Sequence, residues 1–335
     1  VQNNSFNANL HSSATVNVGG NIDIETLREF KVGFSLPSHI HADGNISITS
    51  DSIVFYTGST ISGNADGSSS LVFKEYGEDE GMELGGTSAG YAWNMSQAEI
   101  DAIQDGFSAV TFGSTSHTAA IEITDAVSFS DDVNFFNTGD DATIKVTGAF
   151  TTTDGASVMM ESGSAANIGW DAINIDADMN IAGDLTTMTG AGSGAGHVDV
   201  NNVNMIVNGD WLIDSDNNSQ IVTTMLNVGG NLTGALSTKA LQTLYNITAS
   251  DATIGGNLTL YGHTPLILNG NFDVIGNVTL DNSAKAGQNI FLQNGTMNFG
   301  GALNVVASNN INIANSALIT AGGDINFESL GIVIH

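Results

Sequence analysis

Acidic and amide side chains alternate at 214–219 (DSDNNS), a spacing that suits metal binding. Asp214, Asp216 and Asn218 stand two residues apart, like the first three ligands of an EF-hand calcium loop. The sixth position lacks the glycine of that loop, and the twelfth, Met225, lacks its bidentate glutamate. The segment therefore predicts a calcium site with an incomplete ligand set. Calcium is the one cofactor that the sequence suggests.

A second group of acidic residues lies at 75–86 (EYGEDEGMELGG). Glu78, Asp79 and Glu80 are consecutive there, and Glu75 and Glu83 flank them. Clustered carboxylates supply the oxygen ligands that a divalent cation prefers. The same composition also suits a solvated turn without any bound ion. We favour the solvated turn, with Glu78, Asp79 and Glu80 as a weak calcium candidate in the alternative.

Composition excludes several kinds of partner and catalyst. Six basic residues face 35 acidic ones among 335, giving a net charge of −29 that repels nucleic acid and anionic membrane surfaces. The absence of cysteine excludes disulfides, thiolate zinc sites and cysteine catalysis. The few basic residues are dispersed, which disfavours a cationic lyase site, although paired carboxylates remain open. We expect no enzyme, no nucleic-acid partner and no membrane insertion.

Glycine-rich phrases recur along the chain and must position these side chains. Two examples are VGGNLTG at 228–234 and IGGNLTLYG at 254–262. Apolar and polar residues alternate after the glycines, which is typical of a strand with one buried face. Gly-Asn before each strand predicts a turn whose glycine has positive φ. In the second half of the chain the phrase recurs every 20 to 26 residues, with its last glycine at Gly183, Gly209, Gly230, Gly256, Gly276, Gly301 and Gly323.

This period predicts an all-β protein, a right-handed parallel β-helix forming a single rod over residues 1–335. A sandwich or barrel also has short alternating strands, but would not repeat one phrase at coil spacing. Stacked asparagines at equivalent positions are expected to hydrogen-bond along the rod. The structural turn and ladder residues are Gly230, Asn231, Gly256, Asn257, Gly276, Asn277, Gly323 and Asp324.

Residues 75–107 interrupt the repeat and predict an irregular insertion with an acidic loop and one short helix. In NMSQAEIDAIQDGF (94–107), Ser96 and Glu99 match the capping box that begins many helices. Gly106 stands where a helix would end. We therefore expect a helix over about 97–105, packed against the solenoid.

The stretch SAGYAWNMSQAEIDAIQDGFSAVTFGS (88–114) resembles a segment of filamentous-haemagglutinin-like secreted exoproteins of bacteria. The resemblance rests on Met95-Ser96, Glu99-Ile100 and Ile103, followed by the strand Val110-Thr111-Phe112-Gly113. The Gly-Asn-apolar phrases are similar to the repeats of the same family. The resemblance implies a right-handed β-helix, export to the cell surface, and a role in adhesion or matrix building.

Two functions follow as hypotheses. The first is a secreted or cell-surface structural or adhesive solenoid that stacks head to tail with copies of itself, because an uncapped β-helix exposes strand edges. The alternative is a β-helix that binds or cleaves surface glycans, as lyases and tailspikes do. A row of exposed aromatic side chains along one face would favour the alternative.

Overall fold

A computed structural model describes residues 2–3, 8–10, 13–77, 79–86, 93–139, 142–163, 171–190, 196–215, 219–235 and 245–334. Parallel strands stack in successive coils, and only about 1% of the chain is helical. The predicted β-solenoid is confirmed. The contacts group the chain into two compact units, Val1–Glu161 and Ser162–His335. The single rod predicted for residues 1–335 stays a prediction.

In the first unit every strand pairing described is parallel. One face is formed by Gln2–Asn3, Ile22–Thr26, Ile46–Thr49, Ser69–Lys74, Phe107–Ser114, Val133–Asn137 and Val158–Ser162. Two smaller sheets contain Ala8–Leu10, Glu29–Val32 and Ser52–Phe55, and Thr15–Val18, His39–Ala42 and Thr60–Ser62. The remaining strands are Met82–Gly85, Trp93–Ser96, Ile121–Ile123, Val127–Phe129, Ile144–Val146 and Phe150–Thr152.

The second unit repeats the arrangement with longer strands. One face is formed by Leu185–Thr189, Trp211–Asp214, Leu232–Gly234, Leu258–Tyr261, Val278–Asp281, Leu303–Val306 and Ile325–Glu328. The other strands are Asp171–Ile175, Met179–Ile181, His197–Val207, Ser219–Val228, Tyr245–Ile254, Leu266–Val274, Ile290–Gln293, Thr296–Phe299, Asn310–Ile313, Leu318–Ala321 and Gly331–Ile334.

The alternation of apolar and polar residues along each strand places apolar side chains in rows that run from coil to coil. Leu258 pairs with Val278 and Leu260 with Leu280, and all four side chains are fully buried. In the first unit the buried rings of Phe73, Phe112 and Phe135 stack in the same way, with centroids 5.4 and 5.7 Å apart. Burying such rows is the main source of stability of the coils.

The helix is shorter than predicted. It spans Gln97–Ile100, and the chain then leaves the helix because Ile103 joins a parallel bridge to Ile61. The Ile61 N–H donates to the Ala102 carbonyl at 2.9 Å, and the Gln104 N–H donates to the Ile61 carbonyl at 2.9 Å. Gly106 does not cap the helix; its N–H donates to the Asp131 carboxylate at 3.0 Å.

The capping box forms between Ser96 and Glu99. The Ser96 N–H and hydroxyl both donate to Glu99 Oε2, each at 2.9 Å. Glu99 Oε1 also accepts the Phe55 N–H at 3.3 Å, which fixes the helix to the preceding coil. Within the predicted insertion 75–107, the strands Met82–Gly85 and Trp93–Ser96 pair with each other in register and carry the helix.

Candidate functional site

In the second unit, the asparagine or aspartate of the repeated phrase accepts a backbone hydrogen bond from the next coil, from Asp184 to Asn277. Asn231 Oδ1 accepts the Asn257 N–H at 2.9 Å, and Asn257 Oδ1 accepts the Asn277 N–H at 2.8 Å. Asn277 Oδ1 accepts the Ala302 N–H at 2.8 Å. In each of these bonds a main-chain N–H donates to a side-chain oxygen of the preceding coil. The bonds therefore join neighbouring coils at the turn before each strand. We call this series the Asx ladder; its members in the second unit are Asp184, Asp210, Asn231, Asn257 and Asn277.

The glycines of the phrase serve a different purpose from the predicted one. Gly230, Gly256 and Gly276 do not have positive φ, so the predicted reason for glycine was wrong. Glycine is needed at these positions because a larger residue would not fit. Each glycine packs against the ladder side chain of the preceding coil. A Cβ on Gly256 would lie 2.6 Å from Asn231 Oδ1, closer than real contacts allow. Glycine lets the ladder side chain reach its N–H donor.

The ladder changes at Ala302 in the second unit. Ala302 has no side-chain oxygen, so no ladder bond reaches Asp324 from it. Asp324 itself lies in the last coil that the structure describes, beside Gly323. In the first unit, a Cβ on Gly20 would meet nothing within 4 Å, although a Cβ on Gly44, one coil later, would clash with Asn21 Oδ1.

The last coil exposes apolar residues whose partners in the preceding coil are buried. We define it as the strands Leu318–Ala321, Ile325–Glu328 and Gly331–Ile334. Ile325 is 51% exposed and pairs with Leu303, which is fully buried. Ile332 is 51% exposed and pairs with Ile311, which is also fully buried. The apolar rows therefore continue into the last coil of the second unit, and no residue that the structure describes covers them there.

Strand edges at the last coil are also unpaired within the described part of the chain. Ile325–Glu328 pairs with Leu303–Val306 on one side, and Gly331–Ile334 pairs with Asn310–Ile313 on one side. An exposed edge offers N–H and C=O groups to an incoming strand. Apolar rows and open edges together form a surface that a further coil of the same type would fit.

The structure describes only some of the residues predicted to bind calcium. Asp214 ends the strand Trp211–Asp214 and pairs with Met188, whereas Asp216 and Asn218 lie outside the described residues. Asp79 and Glu80 are exposed, and Glu78 lies outside the described residues. Among the residues described, no three acidic or histidine side chains are grouped to hold a metal ion. Calcium binding stays a prediction.

Sequence reasoning missed a buried carboxyl group beside the acidic loop. Glu75 is 6% exposed, and its Oε2 lies 3.5 Å from His117 Nδ1. Burial, then the nearby charges of Glu80, Asp51 and Asp79, raise the pKa of Glu75 to about 9. The carboxyl group is therefore protonated at neutral pH. Asp51 and His117 are distant in sequence and the burial of Glu75 arises only on folding, so no local motif marks it.

A second buried carboxyl group lies below the helix. Asp131 accepts the Gly106 N–H at 3.0 Å and shares a hydrogen bond with the side chain of Asp105. Burial raises the pKa of Asp131 to about 6, and the Asp105 carboxyl group adds to the rise. Asp105 and Asp131 are 26 residues apart in sequence, so pattern reading does not pair them.

No family model, curated protein or solved structure matches this chain. The likeness of residues 88–114 to filamentous-haemagglutinin-like exoproteins therefore rests on the residues quoted for it. In the part of the chain that the structure describes, no helix combines the length and apolar character needed to cross a membrane. The site with the clearest chemistry is the uncovered last coil.

Proposed function

We propose that this chain is a structural β-solenoid that binds end to end to further copies of itself and forms a fibre or matrix. The observation that carries the proposal is the uncovered last coil, where Ile325, Ile332 and Ile334 are 51%, 51% and 71% exposed. Exposed apolar rows of this kind mark interaction surfaces in soluble proteins.

The strand Ile22–Thr26 of the first unit supports the same partner. Ile22 and Ile24 are only half-buried, whereas Ile46 and Ile48, their partners one coil later, are buried. The two surfaces differ, so contact between them is heterologous and leaves one surface of each kind free. Such contacts build open filaments, and the occupant proposed for the last coil is therefore the first coil of a second copy.

The resemblance of residues 88–114 bears on where the protein acts and what it does there. We infer that the protein acts outside the cell or at its surface, in adhesion or matrix building, because of the resemblance carried by residues 88–114. The solenoid fold fits that role, since each unit offers a repetitive surface of stacked coils. We propose no catalytic step for this chain.

Matched substitutions test the proposed interface. Ile332→Asp places a charge among the uncovered apolar rows and should strongly reduce multimer formation. Ile275→Asp is the control, because Ile275 is 64% exposed but lies outside the last coil. Size-exclusion chromatography with light scattering would measure the mass of each variant across protein concentration. Equal loss of multimers in both variants, or no multimers of the unmodified chain, would overturn the proposal.

A further inference from the structure

A groove in the first unit lies between the corner 55–60 and the helix segment 96–102. Its volume is about 520 Å³, within the range of about 300–1,000 Å³ that small-molecule sites occupy. The two walls belong to different coils and are joined by the bond from the Phe55 N–H to Glu99 Oε1 at 3.3 Å. This hydrogen bond therefore fixes the two walls of the groove relative to each other.

One wall carries an exposed aromatic ring. Tyr56 is 39% exposed and begins a tight turn in which the Ser59 N–H donates to the Tyr56 carbonyl at 2.8 Å. Gly58 has a φ of +83° in this turn and packs against Pro37 of the preceding coil. The Tyr56 Cβ lies close over Gly33, where a side chain would clash with it at 2.8 Å. The backbone beneath the ring is therefore well fixed.

The other wall carries a carboxylate held in a fixed orientation. Gln97 Nε2 donates to Asp101 Oδ1 at 2.7 Å. Gln97 is itself fixed by the next coil, because its Oε1 accepts the Ser128 N–H at 2.8 Å. Asp101 is exposed, and within the described residues its Oδ2 makes no protein hydrogen bond. That oxygen is available to accept from a ligand.

The charge of the groove selects the class of ligand. Lys, Arg and His are absent from its described lining, and the chain carries a net charge of −29, so anionic ligands are disfavoured. An aromatic ring offers a flat apolar surface, and a carboxylate accepts hydrogen bonds from neighbouring hydroxyl groups. A neutral sugar ring presents both an apolar C–H face and adjacent hydroxyl groups.

We propose that this groove binds a neutral saccharide, with a sugar ring stacked on Tyr56 and its hydroxyl groups donating to Asp101. Hydrolysis of a glycosidic bond needs a second, available carboxyl group. Glu99 is the other carboxylate of the groove, and both of its oxygens are already bonded to Ser96 and Phe55. The groove therefore binds a glycan without cleaving it.

Titration with neutral di- to tetrasaccharides of glucose, galactose and N-acetylglucosamine tests the proposal, with binding followed by saturation-transfer NMR. Tyr56→Ala should weaken binding about tenfold through the lost ring contact, and Tyr56→Phe should retain most of it. Asp101→Asn should weaken binding severalfold. Tyr261→Ala is the matched control, because Tyr261 is 37% exposed and lies outside the groove.

Several outcomes would overturn the saccharide site. One is that no sugar of the panel binds. Another is that the unmodified chain and Tyr56→Ala bind a sugar equally well. Affinity for a sugar of the panel that falls steeply between low and high NaCl would also overturn it, since salt screens charge–charge attraction but not sugar stacking. Repeating the titration with Ile332→Asp separates this proposal from end-to-end assembly, because that variant leaves the groove intact.

Discussion

At the scale of single residues, the glycines of the repeated phrase are explained by space. Gly256 packs against Asn231 Oδ1 of the preceding coil, and its φ is not positive. The sequence predicted a ladder at these positions but gave the wrong reason for glycine. A Gly-Asn pair predicts a turn from the sequence alone. The contact between the glycine and the neighbouring coil forms only when the coils stack, so the sequence does not show it.

Alanine substitutions at two equivalent glycines distinguish space from backbone conformation. Gly256→Ala should destabilise the protein by about 2 kcal/mol, because its Cβ would overlap Asn231 Oδ1 and the Gly230 carbonyl oxygen. Gly20→Ala should change stability by less than about 0.5 kcal/mol, because nothing lies within 4 Å of its Cβ position. Urea unfolding would measure both changes, and equal losses would contradict the role of space.

Glu75 makes stability depend on pH. Its pKa is raised to about 9 in the fold, mainly by burial and then by Glu80, Asp51 and Asp79, with His117 as the neighbouring base. Unfolding restores the ordinary value of 4.5. The contribution of Glu75 is therefore full below pH 4.5 and is lost as pH rises towards about 9.

Glu75→Gln removes this titration while keeping the shape of the protonated acid. The variant should match the unmodified chain near pH 4.5 and become increasingly more stable than it up to about pH 9. Urea midpoints at pH 5, 7 and 9 would measure the difference. A difference that does not change with pH would show that Glu75 is ionised and paired with His117.

At the scale of elements, the sequence predicts strands better than the helix. Alternating apolar and polar residues predict the strands Leu258–Tyr261 and Val278–Asp281 directly, because every second side chain of each strand is buried. Ser96 and Glu99 mark the helix start, but nothing local shows that Ile103 will pair with Ile61. Bridge formation with another coil ends the helix at Ile100, and such a distant partner is not visible in a window of sequence.

Coil-to-coil attachment can be strengthened at Ala302, a ladder position of the second unit whose side chain lacks an acceptor. Ala302→Asn should place an oxygen near the Asp324 N–H, as Asn277 does for Ala302 at 2.8 Å. One such bond is worth about 1 kcal/mol, so hydrogen exchange of the Asp324 amide should slow about fivefold. Ala302→Leu is the control, since it adds volume without an acceptor. Unchanged exchange in Ala302→Asn would contradict the ladder account.

At the scale of the whole molecule, the uncovered rows at the last coil decide the function that we propose. Their composition is visible in sequence, as Ile325, Ile332 and Ile334, but their exposure is not. The groove beside Tyr56 is less predictable still, because its walls come from segments about 40 residues apart in the chain. Assembly and glycan binding use separate surfaces and can therefore be tested separately.

Sedimentation velocity of the unmodified chain tests the central claim most directly. Each copy carries a net charge of −29, so copies repel one another at low salt. The account predicts a monomer at low salt and low concentration, and a growing series of multimers as NaCl and protein concentration increase. A single monomeric species under all of these conditions would contradict end-to-end assembly.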